Sequence, residues 1–283
     1  MTPSDATALP PVAITIDVED WFHVCGIGVP QPVARNMWRT KANIIKILAL
    51  LDSYQCKATF FMLGSVAESE PDIAPMIAAK GHEIASHGYS HTLLTDMDQN
   101  AFRDELMRTE QILTKQIGVR PIGFRAPQWS VPYNSTWMDE ILIECGYHYD
   151  SSRNPLPFVG DSSLPLHPYT ITTSRGTLLE LPPMVTPTIF GNLPTGGGWG
   201  FRFFPIKLIE ATVRKYHRAK APAVLYIHPR ELDPDGPRLK LPPLKSFVSY
   251  GSRKDAVPQL SMLLEQFRCS TLSEIAASWP RTY

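Results

Sequence analysis

The sequence predicts an α/β fold, a single barrel-like domain in which parallel strands alternate with helices. Three observations predict it. A chain of 283 residues with 43% hydrophobic and 19% charged residues is long enough and apolar enough for one α/β barrel. Short β-branched runs alternate with segments of helical period, which implies parallel strands joined by right-handed crossovers. Four polar clusters each follow an apolar run: Asp17-Val-Glu19-Asp20, His87-Gly-Tyr-Ser-His91, Arg125-Ala-Pro-Gln-Trp129 and Ile227-His228-Pro229. Barrels of this type carry their chemistry at the carboxyl ends of their strands.

In chain order, Val12–Ile16 reads as a buried first strand ending at acids, followed by a Gly- and Pro-rich loop to about residue 36. Asn43–Leu51 has helical spacing, Lys57–Met62 reads as a strand, and Pro71–Lys80, stopped by Gly81, as a short helix. Glu83–Ser86 is a brief strand delivering His87. Asp98–Ile117 is expected as the longest helix, capped by Asp98, stopped by Gly118, with Phe102, Leu106, Ile112 and Leu113 inward. Pro121–Phe124 is a strand, Ser135–Cys145 a helix and Tyr147–Tyr149 a strand. Residues 151–204 break the rhythm with a proline-rich loop, a hairpin over Tyr169–Leu181 turning at Arg175-Gly176, and Gly196-Gly-Gly-Trp-Gly200; they are expected to form an insertion or lid within the single 1–283 domain. Pro205–His217 is a helix, Ala223–Ile227 a strand, 229–256 a long loop, and Val257–Phe267 a closing helix. No internal repeat is present.

Composition narrows the function classes. Twenty-seven Lys plus Arg balance 27 Asp plus Glu, so the bulk composition carries no nucleic-acid footprint. Cys25, Cys56, Cys145 and Cys269 are scattered without a Cys-x-x-Cys pair, which reads as four reduced thiols rather than a zinc ribbon or disulfide framework. No apolar window is long enough for a membrane span and residues 1–10 lack a signal-peptide pattern, so the expectation is a cytoplasmic chain. Oligomeric state is left open.

Two imidazoles four residues apart, at His87 and His91, can hold a divalent metal. Taken in order, Thr15-Ile-Asp-Val-Glu-Asp20, His87-x-x-x-His91, Arg125-Ala-Pro127 and Leu225-Tyr-Ile-His-Pro229 resemble the motifs of the NodB-like polysaccharide deacetylases, from about Val12 to Ala277. The resemblance implies a distorted (β/α) barrel of about seven parallel strands. Asp-Val-Glu-Asp-Trp-Phe-His at 17–23, Gly-Gly-Gly-Trp-Gly at 196–200 and His-Pro-Arg-Glu-Leu-Asp-Pro at 228–234 look like the subgroup found with exopolysaccharide and exosortase loci, which implies an N-acetylated polysaccharide or oligosaccharide as substrate.

By that resemblance Asp17 is the general base, Arg125 orients it through two parallel hydrogen bonds, and His228 is the general acid. A metal held by His87, His91 and one carboxylate with an open position makes water nucleophilic at neutral pH. Zinc suits that set best, and cobalt, nickel or iron would fit it. The family's second aspartate is replaced by Val18, so the carboxylate is Glu19 or Asp20; alternation along a strand puts residue 19 on the side of 17. Backbone donors near Gln128 and Trp129 are candidates for stabilising the oxyanion. Trp21, Trp129 and Trp199 are candidates for stacking on sugar rings, and His23 for supporting the ligands. The family's aspartate–tryptophan motif has no clear counterpart, Glu180 being the nearest candidate. Two other readings share these residues: an allantoinase-like hydrolase of a cyclic ureide, and a glycan-binding barrel with a damaged site.

Overall fold

A computed structural model describes residues 9–23, 33–132, 135–157, 159–251 and 255–280. Its centre is β1 (Val12–Val18), whose seven residues are all buried, as expected of a parallel strand covered on both faces. The strands β2 (Thr59–Met62), β3 (Glu83–Ser86), β4 (Gly123–Phe124), β5 (Tyr149–Asp150), β6 (Tyr169–Thr173) and β7 (Gly176–Glu180) follow on one side. After the small hairpin of β8 (Thr186–Thr188) and β9 (Gly191–Leu193), β10 (Ala223–Ile227) returns to the other side. The sheet order is β10-β1-β2-β3-β4-β5-β7-β6. Its first seven members pair in parallel, and β6 is an antiparallel edge. The fold is thus the expected barrel type, left open as a curled half-barrel.

Helices α1 (Thr40–Ser53), α2 (Gly64–Ser69), α3 (Ile73–Ala79), α4 (Gln99–Ile117), α5 (Thr136–Glu144), α6 (Gly198–Phe203), α7 (Ile206–Arg218), α8 (Pro243–Tyr250), α9 (Val257–Gln266) and α10 (Leu272–Ser278) surround it. The main core joins Ile14, Ile16, Phe60, Leu225 and Ile227 of the sheet to Ile44 and Ile47 of α1, Ile77 of α3, Val213 of α7 and Leu263 of α9. The concave face is filled by Ala13, Phe61, Ala85 and Val224 and closed by Leu272 and Ile275 of α10. Leu272 N–H donates to Thr59 Oγ1 and Ser273 N–H to Glu83 Oε2, both at the first residues of their strands, so α10 plugs the amino ends. The carboxyl ends are left for the cleft.

Asp98 caps α4 through Ala101 N–H at 2.8 Å, and Gly118 ends it with φ 71°, a left-handed conformation that glycine adopts at little cost. Other expectations need correcting. The helix expected over 71–80 forms as α3, but an unexpected α2 precedes it where Gly64 packs against Thr109 and Tyr89 too closely for any side chain. Within the expected insertion of 151–204, β7 joins β5, so the hairpin widens the main sheet instead of covering the site. The loop expected over 229–256 contains a 3-10 turn at Pro229–Leu232 and α8. Cys56, Cys145 and Cys269 are free thiols, and Cys25 lies outside the described residues. Among the described residues no helix is long and apolar enough to cross a membrane.

Candidate metal centre and active site

The site forms where β1, β3, β4 and β10 end. Strand β1 stops at Val18, and Glu19 N–H donates back to the Asp17 carbonyl at 2.9 Å, a tight turn that swings the Glu19 side chain to the side of Asp17. Glu19 Oε1 then lies 3.2 Å from His87 Nε2 and 2.9 Å from His91 Nε2. His87 enters directly from β3, its N–H bonded to the Met62 carbonyl. His91 is brought back by a loop that α4 holds, since Glu105 Oε2 accepts Tyr89 N–H at 2.6 Å and Ser90 N–H at 2.8 Å. That return puts His91 at φ 64°, a conformation a non-glycine residue rarely holds without a structural demand.

This trio can hold a divalent cation. One ligand atom from each of Glu19, His87 and His91 lies within 4.8 Å of the others. His87 Nδ1 donates to the Arg125 carbonyl at 2.8 Å, so Nε2 is the ring nitrogen that faces Glu19 and that would ligate a cation once its proton is released. Two imidazole nitrogens and one carboxylate oxygen are donor types that divalent transition metals such as zinc accept. Burial alone would raise the Glu19 carboxyl, but the positive charge of His91 and His228 and the bonds to both ligand histidines hold it well below the usual range. Burial pulls the His87 imidazole down, and Glu19 and Asp17 outweigh it upward.

Asp17 and His228 stand beside the trio. Arg125, wholly buried, donates from Nη1 to Asp17 Oδ1 and to Thr15 Oγ1, both at 2.7 Å, while Nη2 reaches Ser151 Oγ at 2.9 Å and Nε the Ser151 carbonyl at 3.2 Å. The expected pair of parallel bonds to Asp17 is therefore a single bond, the other arm being taken by Ser151. The guanidinium lies 4.0 Å above the Phe61 ring and 4.8 Å from Trp129. His228 Nε2 is 3.9 Å from the second Asp17 oxygen, and its Nδ1 faces Glu231 Oε1 at 3.6 Å. Glu231 is buried against Arg202 at 3.2 Å; burial pushes its carboxyl up, but Arg202 and His228 bring it down to about 2. The Glu19 oxygen not shared with the imidazoles takes Arg230 Nη1 at 3.0 Å.

Sequence reasoning missed Ser151, Arg202, Arg230 and Glu231. The signal for Glu231 was the three-residue spacing from His228, which the turn converts into a mutual contact: Glu231 Oε2 also accepts His228 N–H at 3.2 Å. Glu180, the candidate for the family's aspartate–tryptophan motif, does not reach the Asp17–His228 pair. It lies in a separate buried cluster, where Arg153 bonds Asp139, Asp150 and Glu180.

Asp20 does not join the trio. Its Oδ2 accepts Arg39 N–H, Thr40 N–H and the Thr40 hydroxyl, and its Oδ1 accepts Trp21 N–H, so it anchors the start of α1. Val18 packs in the core. Trp21 is buried with its indole N–H on the Met37 carbonyl, a packing role that removes it from the sugar-contact candidates. Trp129 N–H is spent on the Ala126 carbonyl and is not a free oxyanion donor. Trp129 and Gln128 nonetheless hold φ of 58° and 54°, so the strain at His91 has company on the opposite wall. His23 Nδ1 accepts Asp20 N–H, and burial followed by the charge of His91 pushes it down to about 3, so it is a neutral ring beside His91, 5.6 Å between centroids. Trp199, expected within the insertion or lid, sits on α6 with Phe203, Phe204 and Phe247, while Gly196 and Gly197 pack on the backbone of Met184 and Tyr226. Asp17, Glu19, His91, Trp129, Trp199 and His228 line one cleft of about 500 Å3.

Residues 29–149 match the family model described as Polysaccharide deacetylase, and residues 151–277 match the one described as Domain of unknown function (DUF3473). The chain is 30% identical over 127 residues to a peptidoglycan deacetylase of Helicobacter pylori, covering 45% of this chain and 42% of the relative. It is 38% identical over 96 residues to a peptidoglycan-N-acetylglucosamine deacetylase of Bacillus cereus, covering 34% and 35%. The matched regions thus span well under half the length of these curated relatives. In fold it is similar to a Mycobacterium smegmatis protein assigned to the polysaccharide deacetylases, with a TM-score of 0.66, 23% identity and 98% of both chains covered.

Proposed function

We propose, for a chain whose residues 29–149 match the polysaccharide deacetylase family model, metal-dependent hydrolysis of N-acetyl groups on an N-acetylhexosamine-containing glycan, with release of acetate. The observation that carries it is the convergence of Glu19, His87 and His91 on one point beside the Asp17–Arg125 pair and His228. A cation held by the trio would supply Lewis-acid polarisation of the acetyl oxygen and a more acidic attacking water. Asp17 takes the proton from that water through Oδ2, since Arg125 occupies Oδ1. His228 Nε2, across the 3.9 Å gap, gives a proton to the amide nitrogen as the C–N bond breaks, leaving acetate and a free amine. Glu231 Oε1 faces the ring's other nitrogen at 3.6 Å.

A glycan is favoured over a small cyclic ureide because the cleft is walled by Trp129, Trp199 and Tyr226, whose apolar faces suit pyranose faces. A damaged binding barrel is disfavoured because Glu19 supplies the carboxylate that Val18 lacks. The test is acetate release from N-acetylglucosamine oligomers after chelation and reloading with zinc or cobalt. Wild type should turn over only when loaded, and Asp17→Asn and His228→Ala should lose at least about 100-fold in kcat. Equal rates for wild type and both variants under every metal would overturn the reading.

A further inference from the structure

From Gly236 to Gly251 the sequence carries Arg238, Lys240 and Lys245 and no acid, although the chain as a whole is neutral. All three cations are exposed, and among the described residues none forms an ion pair. The same segment contains α8, which exposes Leu244 to 76% and, one turn on, Val248 to 39%. Helix α6 docks beneath it through Trp199 and Phe247, 5.2 Å between rings, and adds Phe203, itself 46% exposed. A second apolar point lies at the β8–β9 turn, where Ile189 and Phe190 are more than 90% exposed. Both features border the catalytic cleft. Val248 and Trp199 line it from the α8 side, and Asn192 of the hairpin bonds the Pro155 carbonyl next to Leu156, which lines it from the other.

Adjacent large apolar side chains in water are costly unless something covers them. Basic side chains beside exposed Leu, Val and Phe are the chemistry of helices that lie in the headgroup region of a membrane. The absence of acids across 16 residues of a chain with no net charge makes the surface complementary to anionic lipid. We infer that α8 with its preceding 236–242 segment, together with the Ile189-Phe190 turn, docks the protein onto an anionic bilayer surface with the cleft mouth at the headgroup level. Glycans held at that surface would then reach Asp17 and His228 without leaving it. The docking does not depend on the proposed chemistry.

The test is co-sedimentation of the full chain with vesicles of phosphatidylcholine alone and of phosphatidylcholine mixed equally with phosphatidylglycerol. Wild type should partition onto the anionic vesicles and not the neutral ones, and less so as salt is raised. The pairs Leu244→Glu with Lys245→Glu, and Ile189→Ser with Phe190→Ser, should each weaken partitioning by about tenfold. These side chains are exposed, so the variants should fold, and circular dichroism checks that; acetate release from soluble oligomers should match wild type. Failure of wild type to bind anionic vesicles, or binding unchanged by both pairs, would overturn the inference. So would a wild-type dimer in light scattering that the Leu244 pair dissociates without any vesicle binding, since that assigns the surface to a second copy. A chain that binds vesicles yet releases no acetate would refute the proposed reaction and leave the docking intact.

Discussion

Replacing Arg153 by methionine keeps most of the side chain's volume and removes the cation that three buried acids share. Arg153 donates to Asp139 at 2.7 and 2.8 Å, to Asp150 at 3.1 Å and to Glu180 at 3.4 Å. Asp150 and Glu180 have no exposure and Asp139 only 3%. Burial is the largest influence on both Asp150, pushed up to about 6, and Glu180, raised well above its usual range. Breaking such a group by removing one partner costs about 4 kcal/mol at pH 7. The sign with pH follows from proton counting. Carboxyls raised in the folded state bind protons there at pH values where the unfolded chain has released them, so stability falls as pH rises from about 4 toward neutrality. Without Arg153 the folded-state values rise further, and one extra proton held between pH 5 and 7 is worth about 2.7 kcal/mol. The deficit of Arg153→Met in urea unfolding should therefore shrink from about 4 kcal/mol at pH 7 to between about 1 and 2 at pH 5. A deficit below about 1 kcal/mol at pH 7, or an equal one at both pH values, would refute the reasoning. The cluster also bears on the site, because the Ser152 hydroxyl donates to Asp150 while accepting Ala126 N–H, next to Arg125.

Glu19→Gln should weaken zinc binding in calorimetry by at least about 100-fold, whereas Asp20→Asn should leave affinity within about threefold and lower stability by about 1 kcal/mol through the α1 anchor. Glu231, held at about 2, contributes stability that is present above its unfolded value of about 4.3 and lost as pH falls toward 2, so the deficit of Glu231→Gln, up to about 3 kcal/mol near neutrality, should vanish in acid melts. The same variant should lower kcat about tenfold with KM unchanged, and Glu231→Asp should recover part of it, if Glu231 orients His228. Trp199→Ala should raise KM about tenfold with little change in kcat, since it lines the cleft without touching the proposed base or acid.

The strands most legible in the sequence were short runs bounded by turn signals or by a polar cluster. Ala223–Ile227 matches β10 residue for residue and Glu83–Ser86 matches β3. Pro121–Phe124 and Tyr147–Tyr149 shrink or shift to the two-residue β4 and β5, because their extent is set by pairing with neighbours and not by their own side chains. Helix α10 carried a readable Thr271-x-x-Glu274 capping box, which forms here, but the helical spacing of Leu272, Ile275 and Ala276 extends over only 7 residues. At the site, Asp17, Glu19, His87, His91, Arg125 and His228 were legible because each belongs to a polar cluster that follows an apolar run. Ser151 and Arg202 were not, since their partners lie 26 and 29 residues away at Arg125 and Glu231 and nothing local marks them.

The different placement of Glu19 and Asp20 has a structural reason that strand alternation does not supply. Alternation along a strand favoured residue 19, but β1 ends at Val18, so alternation does not carry that far. What selects Glu19 is a division of labour between two backbones. Asp20 is the acid that the start of α1 requires, with two backbone N–H groups and the Thr40 hydroxyl converging on one oxygen. Once Asp20 is committed there, the turn closed by Glu19 N–H on the Asp17 carbonyl leaves the longer side chain to reach the imidazoles. An aspartate at position 19 would fall one methylene short of histidines that β3 and Glu105 fix from the other side. The one-residue displacement of the acid relative to the family pattern, and its change from aspartate to glutamate, are therefore a single adjustment: the extra side-chain length compensates for the extra backbone.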